Sequence, residues 1–175
     1  MKGKMWLSLV AGVMAAVTVA GAASDADAKR TRWKMHSAFG GKLIVLGEGA
    51  NFVADSVTKM SGGELTMKFF EPGALVPGTQ YYDPISSGAL DAAFGTPGYN
   101  VNKNAAYAFF SAVPFGPGAG EYLAWMQYGG GNELATEMYA RDNIQYVQCG
   151  IIAPESSGWY RKEIKSADDL RGLKM

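Results

Sequence analysis

The chain has 175 residues, of which 48% are hydrophobic and 18% are charged, and its 16 basic residues are balanced by 16 acidic ones. This composition is typical of a globular protein with one core or with one core and part of a second, and zero net charge gives no electrostatic case for binding nucleic acid or an anionic membrane surface. The single cysteine, Cys149, excludes an intramolecular disulfide and a zinc site built from several thiolates.

The first 28 residues have the pattern of an export signal. Lys2 and Lys4 supply positive charge, an apolar run rich in Ala and Val follows, and Ala26-Asp27-Ala28 places small residues where a signal peptidase cleaves. A retained transmembrane anchor is the alternative, because the run approaches the ~20 residues that span a bilayer. The Ala-x-Ala pattern favours cleavage after residue 28, with a cut nearer Ala20–Ala23 as the variant, so we expect an exported, periplasmic protein.

The next segment predicts the opening of a parallel sheet. Arg32–Ser37 alternates apolar and polar residues as a strand does, and the alternation at residues 65–69 predicts a second strand. Between them, apolar residues at three- and four-residue intervals predict one helical face, which ends at Ser61-Gly62-Gly63. These residues are Leu43, Leu46, Ala50, Val53, Ala54, Val57 and Met60. Because strand, helix, strand is the unit of a parallel sheet, we expect an α/β fold.

Tyr99 follows the third predicted strand. A short helix over Thr79–Ser87 and a buried strand over Ala89–Phe94 precede the loop Gly95–Asn100. In open α/β sheets, ligands bind at the carboxyl ends of the strands, so Tyr99 is placed where its phenol reaches a ligand. The alternative from the residues alone is an ordinary surface tyrosine.

The second half of the chain continues with alternating helices and strands. Apolar spacing predicts helices over Glu121–Tyr128 and Glu133–Arg141, a long strand over Ile144–Ile152, a short strand at Trp159-Tyr160 and the start of another strand in Leu170–Met175. Before the last of these, Ser166 and Asp169 have the spacing of a capping box, which predicts a helical turn.

No set of residues in the sequence has the pattern of a catalytic site. His36 is the only histidine, lies in a predicted strand and has the sequence context of neither a serine nor a cysteine hydrolase. Cys149 in an apolar run is typical of an inert core thiol. Asp168-Asp169 lies in a first helical turn, where carboxylates interact favourably with the helix dipole. We therefore expect no enzymatic activity.

Several motifs occur in the same order in TRAP-transporter solute-binding proteins, which the chain resembles. They are Phe70–Gly73, Val76–Gly78, Ser87–Asp91, Ala112–Gly116, Gly158–Ile164 and Asp169–Met175. Ala112–Gly116 and the triple glycine Gly129–Gly131 are similar to the subgroup that binds small monocarboxylates, above all 2-oxo acids. In this family, the residue after the Leu-Lys-Met run is the arginine that grips the ligand. The resemblance therefore predicts that the sequence is a fragment, which stops one residue short of that arginine.

The resemblance implies a fold of the periplasmic binding protein type, with two lobes that each have a central sheet flanked by helices. Residues 29–150 are then the first lobe and residues 151–175 the start of the second, with the strand over Ile144–Ile152 crossing between them. The implied function is capture of a small organic acid, a 2-oxo or 2-hydroxy monocarboxylate such as pyruvate or lactate, for TRAP membrane permease subunits. No nucleic-acid partner is implied, and a homodimer of the full-length protein is compatible with the resemblance.

The resemblance also assigns Tyr99, Glu155 and Trp159 to the ligand site. In the 2-oxo-acid subgroup, the position four before this tryptophan is similar to a glutamine that helps to hold a metal ion bridging to the substrate. Here it is Glu155, and Glu155 and Trp159 are the implied metal site. A carboxylate suits Ca²⁺ better than Na⁺. From the residues alone, Glu155 is a loop carboxylate in water and Trp159 a core aromatic.

Two other classes of protein remain open. One is an exported α/β enzyme such as a hydrolase, although the sequence has no Gly-x-Ser-x-Gly nucleophile elbow. The other is a binding protein for a different ligand class, such as an amino acid, because fold alone does not determine the ligand.

Overall fold

The computed structural model describes residues 30–152, 154, 156 and 158–173. The predicted export signal over residues 1–28 lies outside these residues. In the part of the chain that is described, no helix combines the length and the apolar character needed to cross a membrane.

Three parallel strands form the sheet, and the first of them in the chain lies at its centre. They are β1 (Thr31–Ser37), β2 (Leu65–Phe70) and β3 (Ala92–Phe94), in the order β2-β1-β3. Met35 of β1 pairs with Phe69 on one side and with Ala92 on the other. The α/β fold predicted from the strand–helix–strand pattern is therefore confirmed.

Helix α1 (Leu46–Met60) packs its small residues on the sheet. Ala50 and Ala54 are buried against Met35 in the first core cluster. The helix ends where predicted, since Gly62 and Gly63 adopt positive φ values and the Gly63 amide bonds back to the Thr58 carbonyl oxygen at 3.0 Å.

The two ends of the predicted helical face are wrong, because Leu43 lies before α1 and both Leu43 and Met60 are exposed. The first turn of α1 packs on backbone instead: a Cβ on Gly47 would lie 1.9 Å from the Gly40 carbonyl oxygen. The helix thus buries Gly47 in its first turn, a position that the predicted apolar face did not include.

Helix α2 (Tyr82–Ser86) and strand β3 are both shorter than predicted. Strand β3 begins only at Ala92, because the backbone N–H of Lys34 is bonded by the side chain of Asp91 and not by a backbone carbonyl oxygen. The Oδ2 atom of Asp91 accepts from the backbone N–H of Lys34 in β1 at 2.8 Å.

Helices α3 (Ala119–Tyr128) and α4 (Gly131–Ala140) confirm the two helices predicted around the triple glycine. They pack on each other through Met126 and Ala135, which are both fully buried. The turn between them requires glycine, because Gly130 has a φ of 88°.

A cluster of buried tyrosines joins α2, the 3₁₀ helix Ala105–Phe110, α4 and the segment that follows α4. Tyr82, Tyr107 and Tyr139 form its buried part, and Tyr146 stacks on Tyr139 with ring centroids 5.2 Å apart. The Tyr82 hydroxyl lies 2.5 Å from the Tyr107 hydroxyl and donates to the carboxylate of Asp142 at 2.6 Å.

The long strand predicted over Ile144–Ile152 is wrong, since this segment has no regular secondary structure. Its first four residues lie near Ala93 and Gly95 but are separated from them by a cavity of about 110 Å³. Only its first part packs on the core, through Ile144 and Tyr146, whereas Val147, Ile151 and Ile152 are exposed. An apolar run is therefore not enough to predict a strand, which also requires a hydrogen-bonded neighbour.

The strand predicted at Trp159-Tyr160 is also absent, and Trp159 is 97% exposed rather than in a core. The predicted helical turn that follows is confirmed as a 3₁₀ helix over Ala167–Leu170. Its cap is the Asp169 carboxylate, whose Oδ2 atom accepts from the backbone N–H groups of Lys165 at 3.0 Å and Ser166 at 2.9 Å. In the part of Leu170–Met175 that is described, residues 170–173 form a turn rather than a strand.

Candidate functional site

The carboxyl ends of the three parallel strands meet at one edge of the sheet, and the loops that leave them are tied together. After β1, the Ala38 amide donates to the Phe94 carbonyl oxygen at the end of β3 at 2.9 Å. On the other side, the Gly41 amide donates to Oε2 of Glu71, which directly follows β2, at 2.9 Å. This edge is therefore a connected surface, at the place where open α/β sheets bind ligands.

The first of these loops carries Phe39 in a fixed position. The hydroxyl of Ser37, which is fully buried, donates to the Phe39 carbonyl oxygen at 2.7 Å and lies 3.1 Å from the Phe39 amide, which donates to it. A serine hydroxyl that bonds the backbone two residues on forms a local turn. The turn fixes the path of the backbone at the point where β1 ends.

Three aromatic rings line this edge, and we call Phe39, Phe94 and Tyr99 the aromatic wall. The ring centroid of Phe39 lies 6.1 Å from that of Tyr99 and 6.4 Å from that of Phe94, with Phe39 and Phe94 edge to face. Phe39 and Phe94 are partly buried, whereas Tyr99 is 43% exposed. Tyr99 thus lies at the carboxyl edge of the sheet with part of its side chain open to solvent.

The turn that carries Tyr99 is held from behind by a buried tyrosine. Tyr99 belongs to the 3₁₀ helix Pro97–Asn100. Burial raises the pKa of the Tyr81 phenol, so it stays protonated and donates to the Thr96 carbonyl oxygen at 3.0 Å. The amide of Asn100, which is buried, donates to the same phenol oxygen at 3.4 Å. Both ends of the turn are therefore anchored on Tyr81.

An open depression lies next to the aromatic wall, lined by residues 40–43 and Glu71. The loop that lines it is tied to α1, because the Asn51 side-chain amide donates to the carbonyl oxygens of Gly41 at 3.2 Å and Gly47 at 3.1 Å. The Glu71 carboxylate already accepts from Gly41. The depression is thus a rigid loop surface with its carboxylate engaged.

The structure shows the surroundings of His36 and Cys149, the two residues that the sequence patterns excluded from catalysis. His36 is fully buried, and its Nε2–H, in the tautomer that this contact implies, donates to the Gly78 carbonyl oxygen at 2.9 Å. His36 therefore ties β1 to the loop after β2. The side chain of Cys149 is exposed, so the expectation of a core thiol is wrong. Partial desolvation nonetheless raises the pKa of its thiol, which disfavours the thiolate that a nucleophile requires.

The structure places the three predicted site residues differently. Tyr99 lies in the aromatic wall, and Glu155 lies outside the described residues. Trp159 is described, but its indole is almost fully exposed and so does not pack against Tyr99. The indole nitrogen is a donor only, so the lone-pair ligand that Trp159 could offer a metal ion is its main-chain carbonyl oxygen.

Within the described ranges, no group of three or more His, Cys, Asp or Glu side chains is arranged to hold a metal ion. The metal site that the resemblance implies at Glu155 and Trp159 therefore stays a prediction.

Sequence reasoning missed Phe39, to which it assigned no role. The available signal was Ser37 at the end of a predicted strand, since serine before a turn commonly bonds the backbone two residues later.

The chain matches the family described as "Bacterial extracellular solute-binding protein, family 7" over residues 37–175. A curated relative from Nostoc sp., the "Monocarboxylate 2-oxoacid-binding periplasmic protein", is 35% identical over 151 residues, which cover 86% of this chain and 41% of the relative.

The chain is also similar to solved structures of TRAP solute-binding proteins. A TRAP periplasmic solute-binding protein from Colwellia psychrerythraea, with bound calcium and pyruvate, has a TM-score of 0.78 and 33% identity, covering 83% of this chain and 44% of its own. One from Pseudoalteromonas atlantica, with bound sodium and pyruvate, has a TM-score of 0.72 and 32% identity, with coverages of 83% and 44%. One from Bordetella bronchiseptica, a mixed-occupancy dimer with copurified calcium and picolinate, has a TM-score of 0.77 and 34% identity, with coverages of 82% and 43%. The chain thus spans less than half the length of these relatives.

Proposed function

Because the chain belongs to the bacterial extracellular solute-binding proteins of family 7, we propose that it forms part of the binding subunit of a TRAP transporter. In this proposal, residues 29–150 belong to the first lobe and residues 151–175 begin the second. The family consists of binding proteins rather than enzymes, in agreement with the absence of a catalytic pattern in the sequence. The proposed partners are the permease subunits in the membrane.

The proposed ligand is a 2-oxo or 2-hydroxy monocarboxylate such as pyruvate or lactate. The observation that carries this proposal is the partly exposed Tyr99, held on an anchored turn at the carboxyl edge of a parallel sheet. It is supported by relatives of 32% and 33% identity that were solved with pyruvate bound. The aromatic wall offers apolar surface and a phenol, which suits a small acid that has both an apolar and a polar part.

A metal ion, Ca²⁺ or Na⁺, is proposed to bind together with the acid, as in the relatives solved with calcium or sodium. From this chain, the donors would be the Glu155 carboxylate and the main-chain carbonyl oxygen of Trp159. The carboxylate favours the divalent ion, since Ca²⁺ is typically held by several oxygen ligands that include carboxylates. The ion would supply the positive charge that lets Glu155 and an anionic acid share one site.

Export to the periplasm through the signal over residues 1–28 is part of the proposal, in line with the periplasmic relatives. A homodimer of the gene product is also proposed, because the Bordetella relative is a dimer in its crystal.

Calorimetric titration of the full-length gene product that contains this sequence tests the function. We expect saturable binding of pyruvate that tightens with Ca²⁺, and binding of Ca²⁺ that tightens with pyruvate by the same factor, since linkage is reciprocal. Titration with alanine is the comparison for the amino-acid alternative. Binding of alanine without any 2-oxo or 2-hydroxy acid would overturn the proposal.

Two matched variants test the metal donor. Glu155→Gln removes one negative charge and should weaken pyruvate binding in Ca²⁺ by about tenfold or more, since even partners behind a metal ligand typically contribute 10–100-fold. Glu163→Gln is the control, because the Glu163 carboxylate is exposed and paired with Lys165 at 3.4 Å. If both variants respond to Ca²⁺, Na⁺ and chelator as the wild type does, Glu155 does not hold the ion.

A further inference from the structure

We propose that Phe39 limits the size of the substituent that the bound acid carries, so that it determines selectivity for short 2-oxo acids. This inference rests on the proposed function, and it concerns a residue for which neither the sequence patterns nor the family resemblance indicated a role.

The position of Phe39 is the first argument. It leaves the carboxyl end of β1, the central strand, and its ring contacts the rings of both Phe94 and Tyr99 at 6.4 and 6.1 Å between centroids. Phe39 therefore links Phe94, which ends β3, to Tyr99, whose side chain is 43% exposed. Any ligand part that lies against Tyr99 on this side meets Phe39.

The rigidity of Phe39 is the second argument. Both backbone polar groups of Phe39 are bonded by the buried Ser37 hydroxyl, and the preceding residue, Ala38, is bonded to the end of β3. Moving the Phe39 backbone outward would break these bonds and leave the Ser37 hydroxyl, which is fully buried, without a partner. The ring thus forms a fixed boundary rather than an adaptable one.

The chemistry of the wall is the third argument. Two of its three side chains, Phe39 and Phe94, are pure hydrocarbon, so this surface cannot compensate the charge of a carboxylate. The carboxylate must point away from it, and the substituent on the other side of the oxo group then lies against the wall. A methyl group needs little room there, whereas each added methylene has to fit in front of the Phe39 ring.

The test is a chain-length series on the full-length gene product. Dissociation constants for pyruvate, 2-oxobutyrate and 2-oxovalerate are measured by calorimetry in Ca²⁺ for the wild type, Phe39→Ala, Phe39→Leu and Phe52→Ala. Phe52 is the matched control, because it is a phenylalanine on α1 that is 71% exposed. Thermal unfolding followed by circular dichroism identifies any variant that does not fold.

We expect the ratio of the 2-oxovalerate Kd to the pyruvate Kd to fall by about tenfold or more in Phe39→Ala, since one methylene in an apolar pocket changes selectivity by about 10–200-fold. Phe39→Leu should shift the ratio less and in the same direction, and it decides the matter if Phe39→Ala does not fold. Phe52→Ala should leave the ratio unchanged. A purely structural role for Phe39 would weaken all three acids equally and also leave the ratio unchanged.

The outcomes separate the two proposals. If the wild type binds pyruvate but the folded Phe39 variants keep the wild-type ratio, the role of Phe39 is refuted and the proposed function stands. If the wild type binds neither the three 2-oxo acids nor lactate, titrated in the same way, the proposed function itself is wrong; if it binds lactate alone, the inference about Phe39 and 2-oxo acids is wrong and the proposed function stands.

Discussion

The two buried hydroxyl groups of Tyr107 and Tyr82 form a directional chain that ends on Asp142, and removing each hydroxyl should have a different cost. The Tyr82 hydroxyl donates its proton to the Asp142 carboxylate, so in its contact with the Tyr107 hydroxyl it must be the acceptor. Burial and the bond donated to Asp142 raise the pKa of Tyr82, so that hydroxyl stays protonated. The chain therefore runs from Tyr107 through Tyr82 to Asp142.

Tyr107→Phe removes the first donor and leaves no buried donor unpaired, so it should lower the free energy of unfolding by about 1 kcal/mol, the usual net worth of one hydrogen bond. Tyr82→Phe removes two bonds and leaves the Tyr107 hydroxyl, on a side chain that is 1% exposed, without its acceptor. The unpaired group adds about 1–3 kcal/mol. Because Asp142 is exposed, the bond to its carboxylate is counted at the low end of the net worth of a hydrogen bond, about 0.5 kcal/mol. The expected total is about 3 kcal/mol.

Urea unfolding followed by circular dichroism at pH 7 measures these losses. The double variant should be no less stable than Tyr82→Phe alone, because Tyr107→Phe then removes a hydroxyl that has already lost its partner. Tyr128→Phe, at an exposed site, is the control and should change the free energy of unfolding by less than about 0.5 kcal/mol. Losses in the double variant that equal the sum of the single losses would refute the directional chain.

Three further predictions concern the backbone and pH. Gly47→Ala should lower the free energy of unfolding by about 3 kcal/mol or more in urea unfolding, because the new Cβ would lie 1.9 Å from the Gly40 carbonyl oxygen. Gly120→Ala is the control, since it has open space around it and should raise the free energy of unfolding by about 0.5 kcal/mol. Equal effects of the two changes would contradict the packing of α1. Phe115 is fully exposed and has a φ of 56°, so Phe115→Asn should raise the urea midpoint through a gain of about 1 kcal/mol, and a lower midpoint would show that the ring contributes to stability. Burial raises the pKa of Tyr146 from 10.0 to about 12, so its contribution to stability should be intact below pH 10.0 and lost as the pH rises to about 12. The part of the tyrosinate absorbance that Tyr146→Phe removes should then rise together with unfolding rather than before it, and a rise before unfolding would contradict the burial of this phenol.

The order of elements in the first part of the fold can be predicted from the sequence, because strand and helix periodicities are local. The helical spacing around Ala50 and Ala54 also records which side of α1 faces the core. The alternation in Arg32–Ser37 does not, since Trp33 is exposed whereas the consecutive residues Met35, His36 and Ser37 are all buried. The location of Tyr99 after a strand end likewise follows from the rule for parallel sheets. In these cases, the information needed is contained in neighbouring residues.

The features that sequence reasoning missed depend on contacts between distant segments. Nothing in the spacing of Tyr82, Tyr107, Tyr139 and Tyr146 indicates that they meet, since four separate segments bring them together only when the whole chain packs. The strand predicted over Ile144–Ile152 is wrong for the same reason, because strand formation depends on a partner that a local pattern does not contain. The role of Phe39 needs the position of Phe94 and Tyr99 as well as its own.

The order of the strands has a consequence for the way the chain folds. Strand β1 is synthesised first and lies at the centre of the sheet, and it meets β2 through the single helix α1. Its contact with the β3 side joins residues 57 apart, as between Lys34 and Asp91. Closing the longer loop costs more chain entropy, so the β1–α1–β2 unit should condense first. One edge of β1 then remains unpaired until β3 arrives, and the aromatic wall, which needs residues from both sides of that gap, is among the last parts of the molecule to assemble.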